Sequence, residues 1–212
     1  MKFRTEINIP KLPFSIVLDT KMMFLGSCFS EHVSGFFAAR KFPVCANPFG
    51  ILFNPLSIAQ TLDFMTGKSS LSDRFYQYFD EKWISFAHHG KFSHADKSVF
   101  LNQISDALQN GSSFLQNTDI LFLTFGTSYY YYHLEKELVV ANCHRVPGAC
   151  FDKKRAEIDQ ICAAFAPFFA WRAQHNPNLK VVFTVSPVRH LSDGFHENQM
   201  SKSILHLSIE KM

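Results

Sequence analysis

The chain has 212 residues, 47% of them hydrophobic and 18% charged, which predicts one well-packed domain over residues 1–212 with a core from about residue 22. Its net charge of +3 comes from scattered Lys and Arg, and no stretch reaches the ~18 apolar residues of a membrane span, so we expect neither nucleic acid nor membrane as a partner. Five cysteines without a CxxC pair, and an N-terminus without a signal-peptide core, predict a cytoplasmic protein.

The first predicted unit is a strand, a tight turn and a helix. Residues 22–25 (MMFL) form a short apolar run closed by Gly26, as in a buried strand that turns sharply. Residues 28–40 then carry apolar side chains at helical spacing. Ser27 and Cys28 therefore lie where a buried strand meets a helix N-terminus.

Two further helices are predicted before the middle of the chain. Pro55 suits the first position of a helix that Gly67 ends. The polar and aromatic residues 68–95 have no clear period and are expected to form loops with short elements. Asp96 is then the predicted N-cap of a helix that ends near Gly111.

The second half of the chain repeats the alternation of strands and helices. Residues 120–125 are a near-continuous apolar run, typical of a central parallel strand. Residues 129–144 predict a hairpin, and Asp152 is the predicted cap of a helix. Residues 180–187 predict a third buried strand, and residues 198–212 a last helix.

This alternation predicts a layered α/β fold with a parallel sheet, because strands joined through helices pair in parallel. Three polar turns follow the predicted strands, at residues 26–30 (GSCFS), 126–130 (GTSYY) and 186–190 (SPVRH). In open sheets of this kind, binding and catalytic sites gather at the carboxyl ends of the strands. We therefore expect the functional site at these turns.

Ser27 and Cys28 are the candidate nucleophiles of this site. A side chain at a strand-to-helix turn is exposed at the sheet edge, where helix N–H groups lower a thiol pKa and can hold an oxyanion. One of the two would then attack a substrate while the other caps the helix or packs. In the alternative, Ser27 only caps the helix and Cys28 is buried.

Other polar side chains offer partners for such a nucleophile. His190, directly after a predicted strand, is a candidate general base, and Arg189 a candidate ligand for a carboxylate or developing anion. In the alternative, both only tie down their loop. His88, His89 and His94 have no carboxylate or cysteine at ligand spacing, so we expect no metal site.

Six stretches in order resemble the GSCFA family: LGSCFSEHV, NPFGILFNPLSIA, HHGKFS, LTFGTSYYY, VVANCHRVP and TVSPVRHLSDGFHENQMSKSIL, over roughly residues 23–205. This bacterial family is placed with the SGNH/GDSL-like hydrolases. The resemblance implies a flavodoxin-like three-layer α/β/α fold whose first strand ends in the nucleophile turn. It also implies that no metal or organic cofactor is required.

The resemblance further assigns roles to individual residues. SGNH hydrolases have Gly-Asp-Ser at the first turn, so Gly26 would contribute to the oxyanion site and Cys28 would match the nucleophilic serine; a shift of one residue would favour Ser27. The remaining oxyanion donors would come from two loops, with Gly50 or Asn54 in the first and Gly126 with Thr127 or Ser128 in the second. The asparagine of the superfamily's Gly-x-Asn turn is absent here.

The superfamily takes its general base from an Asp-x-x-His motif near the C-terminus, and the resemblance implies a chain that continues well past residue 212 to reach that motif. We therefore expect a truncated form that lacks its last strand, last helix and that histidine, with His190 as a substitute base. The resemblance implies an esterase or acyltransferase acting on an ester, for example an O-acylated carbohydrate. The rival interpretation is a non-catalytic binding protein on the same fold.

Overall fold

A computed structural model describes residues 11–189 and 191–212 of the chain. The helices are α1 (Cys28–Ala38), α2 (Pro55–Met65), α3 (Lys97–Gln116), α4 (Ile158–His175) and α5 (Phe195–Lys211). The strands are β1 (Met22–Gly26), β2 (Val44–Ala46), β3 (Tyr76–Phe79), β4 (Lys82–Ser85), β5 (Ile120–Phe125), β6 (Tyr129–His133), β7 (Leu138–Val140), β8 (Phe151–Arg155) and β9 (Lys180–Val185).

The central sheet has four parallel strands in the order β2-β1-β5-β9. Numbered among themselves, these strands take the order 2-1-3-4, which agrees with the first four positions of the flavodoxin-like order. The predicted α/β fold with a parallel sheet is therefore confirmed. The run at residues 120–125 forms β5, which lies between two neighbouring strands as the sequence predicted.

One face of the sheet is covered by α1. Met22, Phe24 and Ile120 are buried on this face and pack with Val33 and Phe37 of the helix. Their spacing follows the two-residue period of a strand, since alternate side chains point to opposite faces. Burial of each large apolar side chain contributes about 1.5–3 kcal/mol to folding.

The opposite face is covered by the other helices. Met23, Leu25 and Leu121 are fully buried there and belong to one cluster with Ile58 of α2 and Phe165 of α4. Helices therefore lie on both faces of the sheet, which gives the three-layer α/β/α arrangement. No helix among the residues described has the length and apolar character needed to cross a bilayer.

The prediction that a helix ends near Gly111 is wrong, because α3 continues to Gln116. Gly111 is buried inside the helix, where a Cβ atom would lie 2.7 Å from Met65 Sδ and 3.2 Å from Pro48 Cβ. The glycine therefore allows α3 to approach its neighbours closely and does not mark a helix end.

The prediction that Asp152 caps a helix is also wrong. Asp152 lies in β8, which pairs antiparallel with β6 and places Asp152 opposite Tyr132. Helix α4 begins only at Ile158, after the N-cap residue Glu157. The predicted hairpin of β6 and β7 is correct, but a third strand completes its sheet because pairing with β6 overrides the local capping signal.

Strand β9 was expected to be buried, and its side chains are instead half-buried apart from the exposed Lys180. The reason is its position at the edge of the sheet: within the described chain it pairs with β5 alone. An edge strand has a neighbouring strand on one side only, so its side chains stay more accessible to water than those of a central strand.

Helix α5 is fixed to the three-stranded sheet by a polar network. Glu197 Oε2 accepts hydrogen bonds from Arg155 Nη1 at 2.6 Å and from the Tyr129 hydroxyl at 2.7 Å. Lys153 forms an ion pair with Asp193 just before the helix. A single surface ion pair contributes little, but several partners that converge on one segment fix its position.

Candidate functional site

The turn at the end of β1 depends on Gly26. Its φ of 139° lies in a region that favours glycine, and a Cβ atom here would meet the Thr124 carbonyl oxygen at 2.3 Å. The Gly26 N–H donates to Asn47 Oδ1 at 2.9 Å, and its carbonyl accepts from the Leu52 N–H at 2.9 Å. The turn is therefore held from three sides at the edge of the sheet.

Ser27 occupies the N-cap position of α1 but does not use its hydroxyl as a cap. The residue is only 4% exposed, and its Oγ is buried without a hydrogen-bond partner. The alternative in which Ser27 merely caps the helix is therefore correct in position but wrong about the side chain.

Cys28, in contrast, is exposed as the first residue of α1. The alternative in which this cysteine is buried is therefore wrong. The backbone N–H groups of Cys28 and Phe29 belong to the first turn, where no intrahelical acceptor is available. An exposed thiol thus lies beside the positive end of a helix that runs for 11 residues.

His32 lies one helical turn after Cys28 and was not identified from the sequence. Its Nδ1 is 2.8 Å from the carbonyl oxygen of Cys28, a contact that requires the proton on Nδ1. In the neutral ring, Nε2 is then an acceptor. The four-residue spacing between cysteine and histidine, which brings side chains to one face of a helix, was the available signal.

Asn47 supports the turn and was also not identified from the sequence. Its backbone has a φ of 42°, its N–H donates to the Phe24 carbonyl at 2.8 Å, and the residue is 1% exposed. The side-chain Nδ2 of Asn47 is buried without a partner, as are the hydroxyl oxygens of Ser27 and Ser30. Unpartnered buried polar atoms are rare in folded proteins, and a functional role is one explanation for them.

The first predicted oxyanion loop is occupied by internal hydrogen bonds. The Gly50 N–H donates to the Asn47 carbonyl at 2.7 Å, and a Cβ atom on Gly50 would lie 2.2 Å from His89 Cβ. Asn54 caps α2: its Oδ1 accepts from the Ser57 N–H at 2.9 Å, and its Nδ2 donates to Ser57 Oγ at 3.0 Å. Both residues therefore shape the loop near the turn.

The second predicted oxyanion loop, after β5, is likewise fixed by internal hydrogen bonds. The N–H groups of Gly126 and Thr127 both donate to the Phe53 carbonyl, at 2.8 and 3.1 Å. The Ser128 N–H donates to Ser201 Oγ at 2.8 Å. These contacts join the ends of β1 and β5, since Leu52, the residue before Phe53, bonds to Gly26.

Helix α5 adds two polar residues to this loop that sequence analysis missed. Ser201 is buried, and its hydroxyl bonds to both the backbone and the hydroxyl of Ser128. Lys202 donates its Nζ to the Gly126 carbonyl oxygen. Burial lowers the pKa of the Lys202 amine. The ammonium group at this edge of the sheet therefore gives up its proton more readily than that of an exposed lysine.

Of the two candidate residues after β9, the structure describes only Arg189. Arg189 is exposed, and its guanidinium lies 5.8 Å from the centre of the Phe195 ring. His190 lies outside the described residues, so its role as a base stays a prediction. The contact of Arg189 with Phe195 indicates a cation–π interaction within the loop.

His88 is part of the packed interior. Its ring stacks on Phe49 with 4.1 Å between centres, and its Nδ1 bonds to Ser85 Oγ at 2.8 Å. Burial, with a smaller effect from His144, lowers the pKa of His88 to about 3, so the ring is neutral. Across residues 11–189 and 191–212, no three His, Cys, Asp or Glu side chains form a group able to hold a metal ion.

The fold and the turn define an α/β protein with a polar site at the carboxyl ends of its parallel strands. The model of the GSCFA family matches residues 21–212, and the chain therefore belongs to the GSCFA family. Neither a curated protein nor a solved structure matches it.

Proposed function

We propose that this protein is an SGNH-like acyl hydrolase or acyltransferase that uses Cys28 as its nucleophile on an ester. The observation that carries the proposal is the contrast at the first turn. Cys28 is exposed at the N-terminus of α1, whereas the Ser27 hydroxyl is buried. The position at a strand end agrees with where sites gather in open parallel sheets.

The reaction begins when the Cys28 thiolate attacks the ester carbonyl carbon and forms a carbon–sulfur bond. The carbonyl electron pair moves to oxygen, and when it returns, the carbon–oxygen bond to the alcohol breaks. The leaving alkoxide takes up the proton that the thiol gave up. Water then attacks the thioester, which releases the acid and restores the thiol; a second alcohol in place of water makes the reaction an acyl transfer.

The first turn of α1 supplies the donors for the oxyanion in this proposal. The N–H groups of Cys28 and Phe29 have no intrahelical acceptor, and the helix dipole favours negative charge there. Gly26, Gly50, Gly126, Thr127 and Ser128 act instead by fixing the loops around the turn. This support comes from their N–H groups, which already bond to protein acceptors.

His32 is the proposed general base within the described chain. The contact of its Nδ1 with the Cys28 carbonyl leaves Nε2 unprotonated in the neutral ring, on the helix face that Cys28 shares. His190 remains a second candidate for this role. The histidine would take the thiol proton and later return it to the leaving group.

The proposed substrate is an ester with an apolar acyl group, such as an O-acylated carbohydrate. Two aromatic side chains flank the turn and are exposed: Phe29 at 50% and Phe53 at 42%. Exposed aromatic rings near a nucleophile suit contact with an acyl chain. Five free cysteines support a reducing compartment, so the proposed location is the cytoplasm.

Hydrolysis of p-nitrophenyl acetate and butyrate by single variants tests this proposal. Cys28→Ala is expected to lower kcat/KM by at least about 100-fold, because the nucleophile is lost, and Ser27→Ala by less than about five-fold. Cys150→Ala removes a thiol elsewhere and should leave the rate unchanged. Equal activity of wild type and a Ser27→Ala/Cys28→Ala double variant would overturn the proposal.

A non-catalytic binding protein is the second candidate, and one observation favours it. The N–H groups of Gly126 and Thr127 are both satisfied by the Phe53 carbonyl, so the second oxyanion loop offers no free donor from them. If the protein only binds its ligand, the folded wild type should hydrolyse the same esters no faster than the double variant does.

A further inference from the structure

We propose that a cleft between α2, α4 and residues 68–75 binds a neutral polyhydroxylated ligand, a carbohydrate, with Asp63 as its main hydrogen-bond acceptor. The cleft has a volume of about 890 Å³. Clefts that hold small molecules typically measure about 300–1,000 Å³. This site does not involve Cys28, and the inference does not depend on the proposed function.

The floor of the cleft is apolar and belongs to the packed core. Leu56, Phe64 and Phe75 line it, and each is more than nine-tenths buried in the main core cluster. Polar side chains come from the walls on both sides. An apolar floor with a few converging polar groups is the usual composition of a small-molecule site.

Asp63 is the central polar group of one wall. Its Oδ1 is buried without a hydrogen-bond partner, although a buried carboxylate oxygen is normally bonded. The backbone around it is fixed, since the Asp63 carbonyl accepts from the N–H groups of Lys68 at 2.9 Å and Ser69 at 3.2 Å. Rotation about χ2 exchanges the two carboxylate oxygens, so either can face a ligand in the cleft.

Two amide side chains complement this carboxylate. Gln60 lies three residues before Asp63 on α2 and makes no side-chain hydrogen bond within the described chain. On the other wall, Gln160 of α4 donates its Nε2 to the Tyr130 hydroxyl at 3.2 Å, which leaves its Oε1 as an acceptor. Amides both donate and accept, which suits the hydroxyl groups of a sugar.

The charges around the cleft favour a neutral ligand. Lys68 and Arg74 line it together with Asp63, and Arg74 Nη2 donates to the Lys136 carbonyl at 2.6 Å. A cationic ligand would be repelled by the lysine and the arginine, and an anionic one by the half-buried carboxylate. A hydroxyl group can donate to Asp63 and accept from Lys68 at the same time.

Saturation-transfer NMR with maltotriose, cellobiose and N,N′-diacetylchitobiose tests the proposal on the full chain. We expect transfer to at least one of the three from the wild type. For that saccharide, Asp63→Asn and Gln60→Ala should each weaken binding about ten-fold, the loss expected when a hydrogen bond to a buried polar group is removed. Asp106→Asn, an exposed substitution on α3, is the matched control and should bind like the wild type.

Cys28→Ala should also bind like the wild type, so a failure of the proposed ester chemistry leaves this result unchanged. Absence of transfer to all three saccharides would overturn the proposal. Equal binding by Asp63→Asn and Asp106→Asn, with melting temperatures that show both variants folded, would overturn it as well. Binding of putrescine that depends on Asp63, in preference to the saccharides, would reassign the cleft to cations.

Discussion

Asp63 shows how one side chain can make the stability of this protein depend on pH. Burial raises the pKa of its carboxyl from 3.8 to about 6, and nearby Lys68 acts in the opposite direction. Because the folded-state pKa is the higher one, the protonated carboxyl favours the folded state. That contribution is complete below about pH 4 and is lost as the pH rises through about 6.

Asp63→Asn should therefore stabilise the protein at pH 7.5 and have almost no effect at pH 4. The expected gain at pH 7.5 is about 1 kcal/mol, since the carboxyl is partly exposed and solvent screening reduces the full value. Urea unfolding across this pH range measures the difference. A difference between the variant and the wild type that stays constant with pH would contradict the raised pKa.

The burial of Ser27 and the exposure of Cys28 could not be predicted from their local sequence. Both residues lie at the same turn, and their different environments depend on contacts from distant parts of the chain. Gly26 is held by Asn47 and packs against the Thr124 carbonyl, which the sequence alone does not bring together. The strand-to-helix turn was predictable from sequence, whereas the different exposure of its two residues needed the fold.

At the scale of elements, two helix glycines differ in the space around them, and alanine substitutions at Gly35 and Gly111 should therefore differ in their effect on stability. Gly35 in α1 has open space where a Cβ would be, whereas a Cβ on Gly111 in α3 would meet Met65 and Pro48. Gly35→Ala should raise the free energy of unfolding by about 0.5–1 kcal/mol, the gain in helix propensity. Gly111→Ala should give no gain, because the added methyl group would lie 2.7 Å from Met65 Sδ.

Urea denaturation of the two variants measures this difference, with each glycine as the control for the other. An equal gain at both positions would contradict the close approach of α3 to α2.

Elements with a strong local pattern were predictable, and elements formed by long-range pairing were not. The apolar run of β5, the N-cap at Asp96 and the start of α2 at Pro55 agree with the structure, because each depends on nearby residues. Strand β8 was missed because it exists through pairing with β6, some 20 residues earlier along the chain. Its polar sequence, FDKKR, has no apolar alternation that would indicate a strand.

At the scale of the whole molecule, the fold brings three separate segments to one sheet edge. Backbone hydrogen bonds join the turn after β1, the loop of residues 47–54 and the turn after β5. The Leu52 N–H donates to the first turn, and the Phe53 carbonyl accepts from the second. Family membership over residues 21–212 was recognisable from ordered motifs in the sequence. The bonds that occupy the predicted oxyanion donors became visible only in three dimensions.

Intact-protein mass spectrometry after brief incubation with p-nitrophenyl butyrate is the most direct test of Cys28 as the nucleophile. We expect a single butyryl adduct on the wild type, mapped to the peptide that contains Cys28 and absent from Cys28→Ala. Ser27→Ala should still form the adduct. An adduct that persists in Cys28→Ala, or its complete absence from a wild type that turns over the ester, would contradict the assignment of Cys28.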